Sequence, residues 1–112
     1  MKLLSMCLAA AGAALAVLPA DAASLKRGAA IAQANCGPCH AVGRSGQSRN
    51  AAAPPFRTLS ERYPISSLQE ALAEGIMVGH EDAGMPEFNF SVEEVDSLVA
   101  YIDSLSPRRK KR

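Results

Sequence analysis

The residues best able to do chemistry in this sequence sit together in the run NCGPCH: Cys36, Cys39 and His40. As CGPC, the two thiols read as a thioredoxin-like pair that exchanges with a disulfide. As CxxCH, the same thiols are spaced to add to the vinyl groups of one haem, and His40 then falls under the iron as an axial ligand. A zinc site drawn from Cys36, Cys39 and His40 or His80 is a third possibility. The directly adjacent Cys39 and His40, however, do not match the spaced ligand pairs of structural zinc sites. A dithiol exchange site needs a strand leading into the CxxC and a helix leaving it. Here a helical pattern leads in, and Gly43, Ser45 and Gly46 make the exit a loop. The haem reading is the one whose surroundings fit, with Cys36 and Cys39 as the attachment points.

An iron held by His40 has a sixth position to fill. Met77, His80 and Met85 are the downstream candidates. Met85 stands in GMPEF, Gly84 to Phe88, between a glycine that allows close backbone approach and a proline that fixes the chain. Methionine ordinarily fills gaps in a core. In a Gly/Pro loop its thioether is better explained as a ligand aimed by the chain itself. Met77 reads as a packing residue at a helix end, and His80 as a surface or supporting histidine. The expected metal ligands are therefore His40 and Met85, a pairing that raises the reduction potential relative to two nitrogen ligands.

Three helices must position these groups. In SLKRGAAIAQAN, Ser24 is the expected N-cap, and Leu25, Gly28, Ala29, Ile31 and Ala32 fall on or near one face. Gly28 inside a helix costs around 1 kcal/mol against alanine, which is either tolerated or explained by a close helix–helix contact. In SSLQEALAEGI, Ser67 and Glu70 make a capping box, Leu68, Ala71 and Leu72 face inward, and Gly75 closes the helix. In SVEEVDSLVAYIDSL, Ser91 and Glu94 make a second box. Val92, Val95, Leu98, Val99, Ile102 and Leu105 repeat at helical spacing, and Pro107 ends the element. No run alternates with period two and no Asn-Gly or Asp-Gly hairpin occurs. An all-α single domain is expected, without internal repeats.

The 112-residue chain opens on Met1-Lys2, an apolar run from Leu3 to Leu18, Pro19, and Ala20-Asp21-Ala22. That is the pattern of a signal peptide cleaved after Ala22, and it implies an exported, periplasmic protein. The apolar run is short and alanine-rich for a spanning helix. Cys7 follows the bulky Met6, unlike a lipidation site, so Cys36 and Cys39 are the cysteines left after cleavage. The expected organisation is a leader over 1–22, one domain over 23–106 and a basic tail over 107–112. At about 90 residues the mature chain builds a marginal core, which a bound prosthetic group would supplement. It has no Trp, two Tyr and three Phe, and residues 41–62 carry few large apolar side chains. A loop of that kind is explained by a large cofactor to wrap. The tail, Arg108 to Arg112, is wholly basic. It reads either as a dock for an acidic partner or anionic membrane surface, or as a solvated, disordered end. Nucleic acid is not an expected partner of an exported chain.

Taken together, the helix bearing Gly28, then CGPCH, APPF, a middle helix, GMPEF and a last helix bearing Tyr101 resemble a small class I cytochrome c of bacterial periplasmic type. The resemblance runs from about Ser24 to Leu105. It implies that the first and last helices cross closely, with Gly28 against Tyr101, and that loops wrap one covalent haem c. It also implies that a proline carbonyl, best supplied by Pro54 and otherwise by Pro55, accepts a hydrogen bond from the proximal imidazole. Arg57 and Tyr63 are the candidates for meeting the haem propionates. The implied function is electron transfer by a monomer that shuttles single electrons between redox proteins. No nucleophile–base pair or paired-carboxylate site argues for an enzyme. The alternatives are a ligand-binding or peroxidase-like haem protein whose sixth ligand leaves, and a dedicated subunit of a larger oxidoreductase.

Overall fold

The structure, a computed structural model, describes residues 9–14, 20–75 and 84–107. The rest of the leader, Met77, His80 and the tail from Arg108 to Arg112 lie outside the described residues. The described elements are all helical: α1 (Ala20–Asn35), a short 3₁₀ turn (Phe56–Thr58) running into α2 (Leu59–Arg62), α3 (Ile65–Ala73) and α4 (Val92–Ser104). The all-α expectation holds. Among the described residues no helix is long and apolar enough to cross a membrane.

The main packing is of α1 on α4, with α3 lying against α4 as well. Ala32 from α1 and Val95, Leu98 and Ile102 from α4 are buried at this seam, with Leu105 just beyond it. At the crossing, Gly28 is buried. A Cβ there would run into the carbonyl oxygen of Ser97 and lie 2.7 Å from both the Ser97 carbonyl carbon and the Tyr101 Cβ. The close-contact explanation of Gly28 is therefore the right one, although its partner is the α4 backbone and the base of Tyr101. The hydroxyl at the far end of Tyr101 donates to the carbonyl of Val42 at 2.6 Å.

Helix ends follow local chemistry, with two corrections. Ser91 and Glu94 form the expected capping box: the Glu94 N–H donates to Ser91 Oγ at 3.2 Å, and the Ser91 N–H donates to a Glu94 carboxylate oxygen at 2.9 Å. Gly75 ends α3 at φ +92°, a conformation that side chains disfavour. Ser24, however, is not an N-cap. The helix continues back to Ala20 through alanines, the best helix formers, so the expected cleavage point falls in its first turn. The Ser67–Glu70 box is not formed either. Pro64 holds the N-cap of α3 and the helix starts at Ile65, which puts Ser67 inside the first turn. Val92 keeps the helical spacing but not the burial of its companions. As the first residue of α4 it stands clear of the seam, 73% exposed.

The 41–62 segment is more ordered than its composition suggested. Val42, Phe56 and Leu59 are buried anchors. Between them the backbone is tied by Ala41 N–H to Ser48 Oγ (3.0 Å), Asn50 N–H to the Cys39 carbonyl (3.1 Å) and Phe56 N–H to the Ala41 carbonyl (2.9 Å).

Candidate functional site

The CxxCH run is a tight continuation of α1. The N–H groups of Cys36 and Gly37 both donate to the Ala32 carbonyl, at 2.8 and 2.9 Å, and the His40 N–H donates to the Cys36 carbonyl at 2.8 Å. Cys36 ends up buried, with Cys39 and His40 half-buried beside it.

The His40 ring is held from two sides. Its Nδ1 lies 2.8 Å from the Pro54 carbonyl oxygen. A carbonyl can only accept, so Nδ1 carries a proton, and in the neutral ring Nε2 keeps its lone pair. The ring also rests against Phe56, with centroids 5.1 Å apart and planes tilted by 49°. The bond from Phe56 N–H to Ala41 ties the Pro54–Phe56 stretch back to the residue after His40. Imidazole and carbonyl are thus parts of one small, closed loop.

In front of His40 lies a cleft with two adjoining lobes, of about 410 and 250 Å³. Cys36, His40, Pro54 and Met85 line both lobes. The larger lobe runs inward over Phe56, Leu59, Leu72, Leu98 and Ile102. The smaller opens beside Cys39, between residues 50–54 and 84–88. Met85 is half-buried in a stretch without helix or strand that follows Gly84, whose φ of +70° is glycine territory. Farther along that stretch, Phe88 and Phe90 stack at 5.4 Å and both line the larger lobe. The five residues singled out from the sequence, Cys36, Cys39, His40, Pro54 and Met85, therefore meet around one cleft. Phe88 and Phe90, which also wall it, carry no sequence signal beyond their proximity to Met85.

The site's chemistry disfavours the competing readings. Burial pushes the Cys36 thiol up to about 11, whereas exchange-active cysteines have depressed values and open a helix at its N-terminus. Cys36 instead follows a helix C-terminus. Among the described residues no three His, Cys, Asp or Glu side chains come together to hold a metal ion, so the zinc set is not assembled there. What the cleft offers is a deep, largely apolar slot, with paired sulfurs and an imidazole with a free lone pair on its wall. A flat, apolar ring system fits that lining. In the larger lobe a polar corner interrupts it, where Arg62, Tyr63 and Ser67 reach the cleft. Arg57 does not line it, contrary to its expected place beside Tyr63. Its Nη1 is buried, with no hydrogen-bond partner among the described residues.

A family model described as Cytochrome c matches residues 25–106. No curated protein and no solved structure matches the chain. The matched span takes in the CxxCH turn, the cleft and the α1–α4 crossing, and the chain belongs to the cytochrome c family, haem-binding electron-transfer proteins with a covalently attached c-type haem.

Proposed function

We propose that this protein is an exported, periplasmic carrier of single electrons, with one haem c joined to Cys36 and Cys39 and ligated by His40 and Met85. The observation that best supports the reading is the hydrogen bond from His40 Nδ1 to Pro54, on the same cleft that Met85 lines. That bond selects the tautomer, fixes the ring plane and directs the free Nε2 lone pair to a ligand role. Met85 supplies a soft sulfur donor that favours the reduced metal and keeps the potential up. The haem supplies reversible one-electron chemistry, and the chain's part is to hold both ligands in both oxidation states and keep water away. With its sixth position closed, the protein is a monomeric carrier serving other redox proteins. It is not an enzyme in its own right. The basic tail, Arg108 to Arg112, has the charge to assist transient docking on an acidic partner or membrane surface.

The test is expression in a host with a haem-attachment system. The purified protein should have lost residues 1–22 and gained the mass of one haem, which acid and organic solvent do not extract. Cys36→Ala or Cys39→Ala should weaken attachment. The ferric protein should show a sulfur-to-iron charge-transfer band, and the ferrous protein should resist carbon monoxide. Extractable haem would overturn attachment. Ready carbon monoxide binding would replace the carrier with a ligand-binding protein.

A further inference from the structure

Away from the CxxCH cleft, a groove of about 650 Å³ runs between the α2–α3 junction and the end of α4. Glu61 of α2 and Asp103 of α4 line it, and no cation does so among the described residues. An adjoining hollow of about 420 Å³ shares Ile65, Ser66 and Asp103 and extends along the α3–α4 face to Asp96. Asp96 and Asp103 are seven positions apart on α4, which sets them on one face about 10 Å apart. All three acids are exposed. Asp96 accepts a hydrogen bond from Gln69 at 2.7 Å. No side-chain hydrogen bond engages Glu61 or Asp103 among the described residues. Ser106 also lines the groove, and its Oγ is buried without a hydrogen-bond partner among the described residues.

Helix α4 has acids in its first turn and no basic residue in its last, where Asp103 stands instead. Cations belong at a helix C-terminus, and a carboxylate there adds to the negative end. The start of α3 brings a positive helix end to the same groove, which offsets that of α4 and leaves the sign to the carboxylates. The missing cations come next in the chain. Pro107 lines the groove, and Arg108, Arg109, Lys110, Lys111 and Arg112 follow it. Five extended residues span at most about 17 Å, enough to pass both α4 carboxylates. Exposed ion pairs are weak one by one. A tether starting at the groove itself makes their contact intramolecular, at the high effective concentration that weak pairs need. Tyr63 adds a half-exposed ring at the rim, a surface on which a guanidinium stacks.

We propose that the tail, Arg108 to Arg112, folds back into this groove, with its cations against Glu61, Asp103 and Asp96 and its donors within reach of Ser106 Oγ. The occupant is this chain's own tail. An acidic partner or an anionic membrane surface must then compete with the groove for the same cations, so the body of the protein gates docking through the tail. The inference goes beyond the carrier reading and does not depend on which ligands the iron takes.

The test uses the haem-loaded protein, labelled with nitrogen-15 and reduced, and compares the full chain with one lacking Arg108 to Arg112. At low salt, removing the tail should shift amide signals between Ser60 and Ser66, more than 40 positions away in sequence. That difference between the two chains should vanish in about 1 M salt, where charges are screened beyond about 3 Å. It should also vanish when both chains carry Glu61→Gln and Asp103→Asn, which keep the size of two exposed side chains. Glu93→Gln, at an exposed acid of α4 outside the groove, should leave the difference intact. Shifts confined to the residues next to the cut would overturn the proposal, as would shifts that survive the paired substitution. A loss in Glu93→Gln as large as in the pair would reduce the effect to general charge attraction and overturn the groove. Shifts that fade on dilution would put the tail of a second copy there and overturn the intramolecular fold-back.

Discussion

Replacing Gly28 with alanine sets two effects of opposite sign against each other. In a helix interior the exchange should stabilise by about 1 kcal/mol through propensity alone. The α1–α4 crossing opposes it. The new Cβ would lie 2.7 Å from the Ser97 carbonyl carbon and the Tyr101 Cβ, and closer still to the Ser97 oxygen. Carbon atoms rest at about 3.5–4.0 Å, so the helices must part by about 1 Å. Neither obstacle can swing aside, since one is backbone inside α4 and the other is fixed to it. A separation of that size forfeits roughly a quarter to a half of each contact along the seam. Overpacking of this kind costs about 1–3 kcal/mol. The upper part of that range applies where backbone meets backbone, which leaves Gly28→Ala less stable by about 1–2 kcal/mol after the propensity gain. Gly28→Val, with two further methyls, should lose a few kcal/mol. Denaturant unfolding of the haem-loaded protein, followed by far-ultraviolet circular dichroism, measures both. The haem spectrum of the folded variants should stay nearly unchanged. An alanine variant as stable as the wild type, or more so, would refute the close-packing argument.

Tyr101→Phe removes the donor to the Val42 carbonyl and leaves a buried acceptor unpaired. A loss of about 1–3 kcal/mol is expected in the same unfolding experiment. Ser91→Ala deletes the box at the start of α4 and should cost about 1 kcal/mol, with amide exchange of the first turn speeding up. Met85→Ala should lower the midpoint potential and admit carbon monoxide to the ferrous protein, while Met77→Leu does neither; potentiometry and optical titration decide both.

What the sequence made legible was local or chemically singular. CxxCH is short, contiguous and tied to one kind of attachment chemistry, so it could be read without knowledge of the fold. The Ser91–Glu94 box was legible because both halves of its exchange lie in one turn. Ser67 and Glu70 have the same spacing, but Pro64 cannot donate and its fixed φ starts the helix earlier, so spacing alone misled. Val92 fits the periodicity of α4 and is exposed because periodicity does not show where the neighbouring helix stops. Arg57 and Arg62 differ in no way that sequence reveals. Which of them reaches the cleft depends on how the short α2 turn sits after Phe56. The link from His40 to Pro54 became an expectation only through family resemblance, because a bond spanning 14 residues leaves no mark in the intervening sequence.

The pairing of first helix with last also governs the order of events as the chain folds. Tyr101 and Val42 are 59 positions apart, and the cluster that buries Cys36 draws Val95, Leu98, Ile102 and Leu105 from the far end of the chain. Local turns form early, whereas contacts across such a span wait for the loop between them to close. A chain emerging N-terminus first therefore presents the thiols of Cys36 and Cys39 to solvent while α4 is still to come, and docking of α4 ends that interval. Cutting the chain before Val92 would hold it in the open condition indefinitely.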